Sequence, residues 1–264
     1  MAVTQTIIKI ILSFFLICVF IFTYIFDIFS YEHYIEPEYG FASVSDEYIM
    51  PKVYENFITK EEAEYVLKKS KDKFAPSKVH MGVNTDIRNS YTAWISKYDK
   101  VVKNIVTRVC QIEGLPFDNA EHLQVVRYKP NEYYKKHFDT QYMQDDTGIC
   151  DSVGHRVITM LIYLTDDFEE GATRFTFLKK DIKPSKYSGI LFHSLGKTNK
   201  KCHPYSRHAG LPVKTGEKYV ANVWIRQNKF TQSPLSICDP YYYHLKSFLE
   251  RNKSRSEVVD TCED

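Results

Sequence analysis

The chain reads as mainly β with flanking α-helices, an all-β barrel or double-sheet jelly roll that carries its helices on one face. Three observations predict this class. From Glu121 onward, short β-prone runs alternate with turn signals such as Lys129-Pro130-Asn131 and the acidic turn Asp166 to Gly171. Two amphipathic helical stretches precede them. Twenty Tyr and seventeen Phe suit a pleated core. At 264 residues and 44% hydrophobic content, the sequence supports one sizeable core with trimmings.

Taken in order, Ile10 to Phe26 is an uncharged run, and Ile7, Ile8, Ile28 and Phe29 extend it towards the roughly 20 apolar residues that span a bilayer. It is longer than a signal-peptide core and no small-x-small cleavage site follows, so residues 7–29 read as an uncleaved signal anchor. Lys9 precedes the run, whereas Asp27, Glu32, Glu36 and Glu38 follow it. That bias puts residues 1–6 in the cytosol and the rest in the lumen, a single-pass type II arrangement in an endoplasmic reticulum or Golgi membrane. Residues 30–47 then read as a stalk, 48–230 as the folded domain with its core at 121–228, and 231–264 as a tail. The sequon Asn252-Lys253-Ser254 is compatible with a lumenal fate.

Tyr48 to Phe57 reads as a short strand leading to Thr59-Lys60-Glu61-Glu62, a capping box for a helix from Glu61 to Lys73. Ala63, Val66 and Leu67 make its buried stripe. A second helix from Tyr98 to Glu113 lines up Val101, Val102, Ile105, Val106, Val109 and Ile112 on one face and stops at Gly114. Strands are expected at His122 to Tyr128, Tyr133 to Asp139, Arg156 to Leu164, Ala172 to Leu178, Tyr187 to His193, Tyr205 to Val213 and Lys218 to Gln227. The polar stretch from Thr140 to Gly154 reads either as a mobile lid or as a solvated connection. A net charge of +2 with dispersed basic residues argues against a nucleic-acid partner. The six cysteines show no zinc-ligand spacing; in an oxidising compartment Cys202 with Cys238, flanking the last strands, is the favoured pairing.

The chemistry gathers in His137-Phe138-Asp139, His208 and Lys218. Residues two apart on a strand face the same way, so His137 and Asp139 reach one ion together. Two imidazoles and a carboxylate can hold ferrous iron and leave positions open for a co-substrate and dioxygen. Such spacing arises about once by chance in a chain of this composition. Taken singly, His137 and His208 also fit surface histidines, and Lys218 a solvated strand-end lysine. Lys218 opens the last strand with Val220, Asn222, Trp224 and Arg226 on its side of the pleat. A buried lysine needs an anion, and a dicarboxylate that chelates iron at one end would place its far carboxylate there. Tyr128, Thr159 and Tyr163 offer hydroxyls to that carboxylate. His155, His193 and His203 are the other histidines of this region and stay outside the pattern.

The segment Leu123 to Asp139, including Arg127-Tyr128-Lys129-Pro130-Asn131 and His137-Phe138-Asp139, resembles the metal-binding strand pair of prolyl 4-hydroxylases, iron(II)- and 2-oxoglutarate-dependent dioxygenases. Arg207-His208-Ala209-Gly210, Gly216, Lys218 and Trp224-Ile225-Arg226 resemble the family's distal-histidine and 2-oxoglutarate-lysine region, and Arg88-Asn89-Ser90 with Trp94 extends the likeness upstream. The resemblance implies a double-stranded β-helix with His137, Asp139 and His208 on iron and Lys218 on the 2-oxoglutarate C5 carboxylate. Tyr128, Thr159, Tyr163 and Trp224 match positions lining the co-substrate pocket. It also implies O2 as co-substrate, L-ascorbate as an accessory, and a proline-containing peptide hydroxylated at C4. A lysine ten residues after the distal histidine is similar to the collagen- and plant-type members. Leu211 stands where many relatives carry cysteine, and no separate peptide-binding domain precedes the catalytic region. The competing readings are an oxygenase acting on another residue or a small molecule, and a membrane-tethered binding protein without catalysis.

Overall fold

The computed structural model describes residues 41–79, 83–140, 154–198 and 200–230. The expected anchor, the stalk up to residue 40, the loop at 141–153, Cys238, the sequon and the tail lie outside the described residues. Among the described residues no helix is long and apolar enough to cross a membrane.

The first strand, β1 (Lys52–Tyr54), leads to helix α1 (Lys60–Ser70). The capping box forms as expected: Glu62 N donates to Thr59 Oγ1 at 3.2 Å and Thr59 N to Glu62 Oε2 at 3.0 Å. After β2 (Ala75–Pro76) and β3 (Tyr91–Ile95) comes α2 (Lys100–Glu113). It begins two residues later than expected because Asp99 is its N-cap, accepting from Val101 N at 3.1 Å. It ends at Gly114, whose φ of +65° forms the left-handed cap. The remaining strands are β4 (Leu123–Tyr128), β5 (Tyr134–His137), β6 (Arg156–Tyr163), β7 (Phe168–Glu170), β8 (Thr173–Phe175), β9 (Lys180–Ile182), β10 (Gly189–His193), β11 (His208–Gly210), β12 (Val213–Gly216) and β13 (Lys218–Arg226).

Seven strands form the major sheet in the order β1-β10-β6-β13-β4-β3-β2, and four form the minor sheet, β5-β11-β8-β9. A two-stranded ribbon pairs β12 with β7. All of these pairings are antiparallel. This is the double-sheet jelly roll expected from the spacing of the strands.

The period-two alternation of the central strands explains the layering. On one face of the major sheet, Leu123, Val125, Ile158, Met160, Ile162, Ala221, Val223 and Ile225 pack against Ala63 and Val66 of α1 and Val102, Ile105, Val106 and Val109 of α2. On the other, Val126, Tyr128, Leu161, Tyr163, Ile190, Phe192 and Val220 meet Phe175 and Ile182 of the minor sheet. A strand buried on both faces reads as continuously apolar, which is why Arg156–Tyr163 is so β-prone. Each fully buried aliphatic side chain contributes roughly 1.5–3 kcal/mol.

Some expected boundaries move. The run from Tyr205 to Val213 is not one strand: Pro204 opens a 3-10 turn (Pro204–Ser206), β11 covers three residues, and Pro212, with no N–H, precedes a switch to the ribbon. The acidic turn at 166–171 holds β7. Residues 41–47, read from sequence as stalk, lie against the domain: Phe41 is 8% and Ala42 3% exposed, so the folded unit starts no later than Phe41.

Two glycines separate strain from space. Gly216 has φ +75°, and a Cβ there would overlap the Asp167 carbonyl oxygen. Gly114 has φ +65° with open space around it. Gly114→Ala is expected to cost about 1 kcal/mol and Gly216→Ala at least about 3 kcal/mol in urea unfolding. Equal costs would contradict the packing of the β12 turn.

Candidate active site

Strand β5 ends at His137, and its pairing with β11 sets His208 directly opposite. The two imidazole rings stand 4.3 Å apart between centroids. Asp139 follows two residues on, and one ligand atom from each of the three residues falls within 4.8 Å of the others. His137 Nε2 lies 3.7 Å from Asp139 Oδ1, and His208 Nε2 lies 3.8 Å from Asp139 Oδ2. Among the described residues this is the one group of His, Cys, Asp and Glu side chains arranged to hold a metal ion.

Both imidazoles are fixed from behind. His137 Nδ1 donates to the Lys135 carbonyl at 2.8 Å and His208 Nδ1 to the Ser206 carbonyl at 2.9 Å. A carbonyl only accepts, so each Nδ1 carries the proton and each Nε2 presents its lone pair to the ion. The carboxylate is held from the other sheet. Thr159 and Trp224 are register partners on β6 and β13, and both side chains face the minor sheet. Thr159 Oγ1 donates to Asp139 Oδ2 at 2.6 Å and Trp224 Nε1 donates to the same oxygen at 3.0 Å. Oδ1 is thereby left as the ligand oxygen.

Protonation states match the donor set. Burial, then the neighbouring His208, lowers the pKa of His137 and so favours its neutral imidazole. Burial pushes the Asp139 carboxyl up, but its charged neighbours and the Thr159 hydrogen bond outweigh it and hold it below the ordinary carboxylate range. Metal ligation needs these two states, a neutral imidazole and an ionised carboxylate.

The second half of the site is Lys218, 2% exposed and in register with Tyr128 on β4. Its Nζ donates to the Gly171 carbonyl at 2.7 Å and lies 5.0 Å from the Tyr163 ring centre and 5.2 Å from that of Tyr128. Burial, helped by Lys183, pulls its pKa down to about 7. Among the described residues no carboxylate lies within ion-pair distance of it. A buried ammonium held by one carbonyl is a receptor for an anion, and the residues present therefore fit a dicarboxylate.

The eight residues singled out from sequence divide between two ends. His137, Asp139, His208, Thr159 and Trp224 meet at the metal end, whereas Lys218, Tyr128 and Tyr163 meet at the anion end. Thr159, expected among the hydroxyls for the far carboxylate, and Trp224, expected along the co-substrate pocket, both bond Asp139. Tyr163 is committed to its own wall, donating to the Ile182 carbonyl at 3.3 Å and bonding Thr173 Oγ1 at 2.8 Å. His193 pairs with Glu113 at 3.1 Å and His203 stacks on Tyr48 at 4.5 Å, so neither joins the ligands.

Sequence reasoning missed the shell behind these groups. Tyr134 stacks on His137 at 3.6 Å, and the Arg88 guanidinium lies 4.5 Å from the Tyr134 ring centre. Arg156 lies 3.7 Å over the Trp224 ring, and Glu121 Oε1 accepts from Arg156 Nε at 2.6 Å and Arg226 Nε at 2.7 Å. Burial pushes the Glu121 carboxyl up, but the two guanidiniums outweigh it and keep it ionised. The signals for them were the likenesses at Arg88-Asn89-Ser90 and at Trp224-Ile225-Arg226, neither of which gave these arginines a role.

If Thr159 and Trp224 aim Oδ1 at the ion, Thr159→Val and Trp224→Phe will each weaken Co(II) binding about tenfold. Titration followed by visible absorption measures this, and unchanged affinity in both variants would contradict the assignment.

Comparison with known proteins agrees with this geometry. Residues 123–226 match the 2OG-Fe(II) oxygenase superfamily. A protein of Acanthamoeba polyphaga mimivirus carrying a prolyl 4-hydroxylase assignment is 39% identical over 201 residues, 75% of this chain and 82% of its own. Prolyl 4-hydroxylase 1 of Arabidopsis thaliana is 32% identical over 196 residues, 66% of this chain and 68% of its own. The crystal structure of a viral collagen prolyl hydroxylase from Paramecium Bursaria Chlorella virus-1, in its 2OG complex, is similar with a TM-score of 0.55 and 30% identity, covering 67% of this chain and 96% of that one.

Proposed function

We propose a function on one premise: this chain belongs to the prolyl 4-hydroxylase family of 2OG-Fe(II) oxygenases. It acts as an iron(II)- and 2-oxoglutarate-dependent dioxygenase that hydroxylates peptidyl proline at C4. The observation that carries this reading is the pairing, inside one barrel, of a proton-locked His137, Asp139, His208 set with a buried Lys218 that has no carboxylate of its own among the described residues.

Ferrous iron, when bound, supplies the redox chemistry that couples dioxygen and 2-oxoglutarate to C–H hydroxylation, with succinate and carbon dioxide as by-products. His137 and His208 would hold it through Nε2 and Asp139 through Oδ1. Thr159 and Trp224 keep the carboxylate oriented with Oδ2 occupied. Lys218 binds the far carboxylate of 2-oxoglutarate, which returns the lysine to its charged form and fixes the length along which the co-substrate lies. The buried rings of Phe192 and Phe175 lie against His208, 4.8 Å and 5.9 Å between centroids, and this apolar packing strengthens the charge contacts beside it.

The substrate is a proline-containing peptide or protein, and the lysine ten residues after His208 favours the collagen- and plant-type branch. The uncharged run within residues 7–29 and the acidic flank after it support a type II anchor with the catalytic domain in the lumen of the endoplasmic reticulum or Golgi. Ascorbate serves to keep the iron ferrous.

Incubating the full chain with Fe(II), 2-oxoglutarate, ascorbate and proline-rich peptides is expected to add about 16 Da to proline, located by fragmentation, with stoichiometric succinate. Asp139→Ala should abolish both signals. A shift on another residue type, or succinate release indifferent to every peptide, would overturn the proline assignment.

A further inference from the structure

The first residues of the described chain stand next to the ligands. Phe41 forms a parallel bridge with Cys202, and Ala42 N donates to the Cys202 carbonyl at 2.9 Å. Cys202 belongs to the hairpin that runs from Ser194 through the 3-10 turn to His208. The other edge of Phe41 reaches Phe138, with ring centroids 5.2 Å apart and planes tilted by 47°. Phe138 is the residue between His137 and Asp139. The Arg207 guanidinium, from the residue before His208, lies 5.8 Å from the same ring. One aromatic ring between two metal ligands is thus contacted both by Phe41 and by the neighbour of the third ligand.

Residues 43–48 pin this segment down. Ser43 N donates to Asp46 Oδ2 at 2.7 Å, closing a turn that returns the chain to the domain. His203 Nδ1 accepts from Tyr205 N at 3.2 Å, so its Nε2 carries the proton and donates to the Asp46 carbonyl at 3.2 Å. Lys197 N donates to the Glu47 carbonyl at 2.8 Å, and the Tyr48 hydroxyl donates to the His193 carbonyl at 2.6 Å. Side-chain packing of Tyr48 on His203 and Tyr205 completes the attachment. A solvated stalk would make none of these contacts, and a segment held at this many points transmits its position to what it touches.

We propose that residues 41–48 are a strap bracing the metal site from outside, with Phe41 as a positioning residue that fixes Phe138 and through it the separation of His137, Asp139 and His208. The inference rests on the reading of those three residues as a metal site. Removing the Phe41 ring leaves a gap behind the His137–Asp139 segment, which carries two ligands. The ligand atoms then sample wider separations and the ion binds less tightly, although no ligand has been changed.

The test is Co(II) titration of the full chain in detergent, read from the d–d absorption band, for the wild type, Phe41→Ala, Phe41→Leu and Lys197→Ala. Lys197→Ala breaks only an exposed ion pair with Glu47 at the far end of the strap, and should leave the affinity unchanged. Phe41→Ala is expected to weaken Co(II) binding about tenfold and alter the band shape, and Phe41→Leu, which keeps bulk but loses the ring, to weaken it about threefold. A general loss of stability would lower the melting temperature without moving the band. Unchanged affinity and band shape in the folded Phe41→Ala protein would overturn the proposal. If that variant does not fold, unchanged affinity in Phe41→Leu overturns it instead. A wild type that binds no Co(II) at all removes the metal-site reading, and the strap falls with it.

Discussion

An ionised carboxylate and an amine that burial poises between its charged and neutral forms lie on the inner side of the same barrel, and the rest of the molecule is arranged to tolerate them. The Asp139 carboxylate is offset within the chain by the Thr159 and Trp224 donors and by the nearby Arg156 guanidinium. Lys218 Nζ donates to one carbonyl, that of Gly171. Burying a charge without a partner is costly, so each end of the site is incomplete without a ligand of opposite sign, a cation at one end and an anion at the other. A molecule that joins the two, chelating the metal and ending in a carboxylate, satisfies both at once.

Holding such groups in place needs a stiff frame. The major sheet supplies it because both its faces are covered, one by the helices and the other by the minor sheet. β13 lies between β4 and β6, and the two ladders divide the site: Lys218 is held in register with Tyr128 of β4 and Trp224 with Thr159 of β6. The minor sheet contributes the two histidines through a single register pair, and β5 is its edge strand. An edge strand is the less constrained part of a sheet; here residues 87–89 bridge its outer side, Arg88 opposite Tyr134 and the Ile87 carbonyl accepting from Lys135 N at 2.9 Å, and the ring contacts of Tyr134 on His137 and Phe41 on Phe138 add to that hold.

Much of this was legible in the sequence because it is local. The capping box of α1, the apolar stripe of α2 and the long runs of β6 and β13 follow from short-range pattern, and His137, Asp139, His208 and Lys218 were picked out by spacing and by joint likeness to one family. What escaped depends on pairings that no local rule encodes. The link from Glu121 to Arg226 crosses 105 residues of chain. The bond from Thr159 to Asp139 is not readable from sequence because the register of β6 against β13, which sets Thr159 opposite Trp224, is a tertiary fact. The short strands β7, β9 and β12, of three or four residues each, carry too few alternations to stand out from turns. The segment before Tyr48 looked like a stalk because its polar residues outnumber Phe41 and Ala42, whose burial depends on partners near residue 202.

The central claim is that Lys218 waits for a carboxylate. Its pKa of about 7 in the free site means that it is largely neutral at pH 8, and a bound anion would raise it again, so binding draws a proton from solvent. The sign follows from the direction of the shift: uptake is large above the free-site value and vanishes below it. Calorimetric titration of 2-oxoglutarate into the Mn(II)-loaded protein, in buffers of differing ionisation enthalpy, counts that proton. Uptake approaching about one proton per site at pH 8 and close to none at pH 6 is the predicted result. Binding heat at pH 8 that does not vary with the buffer would contradict it.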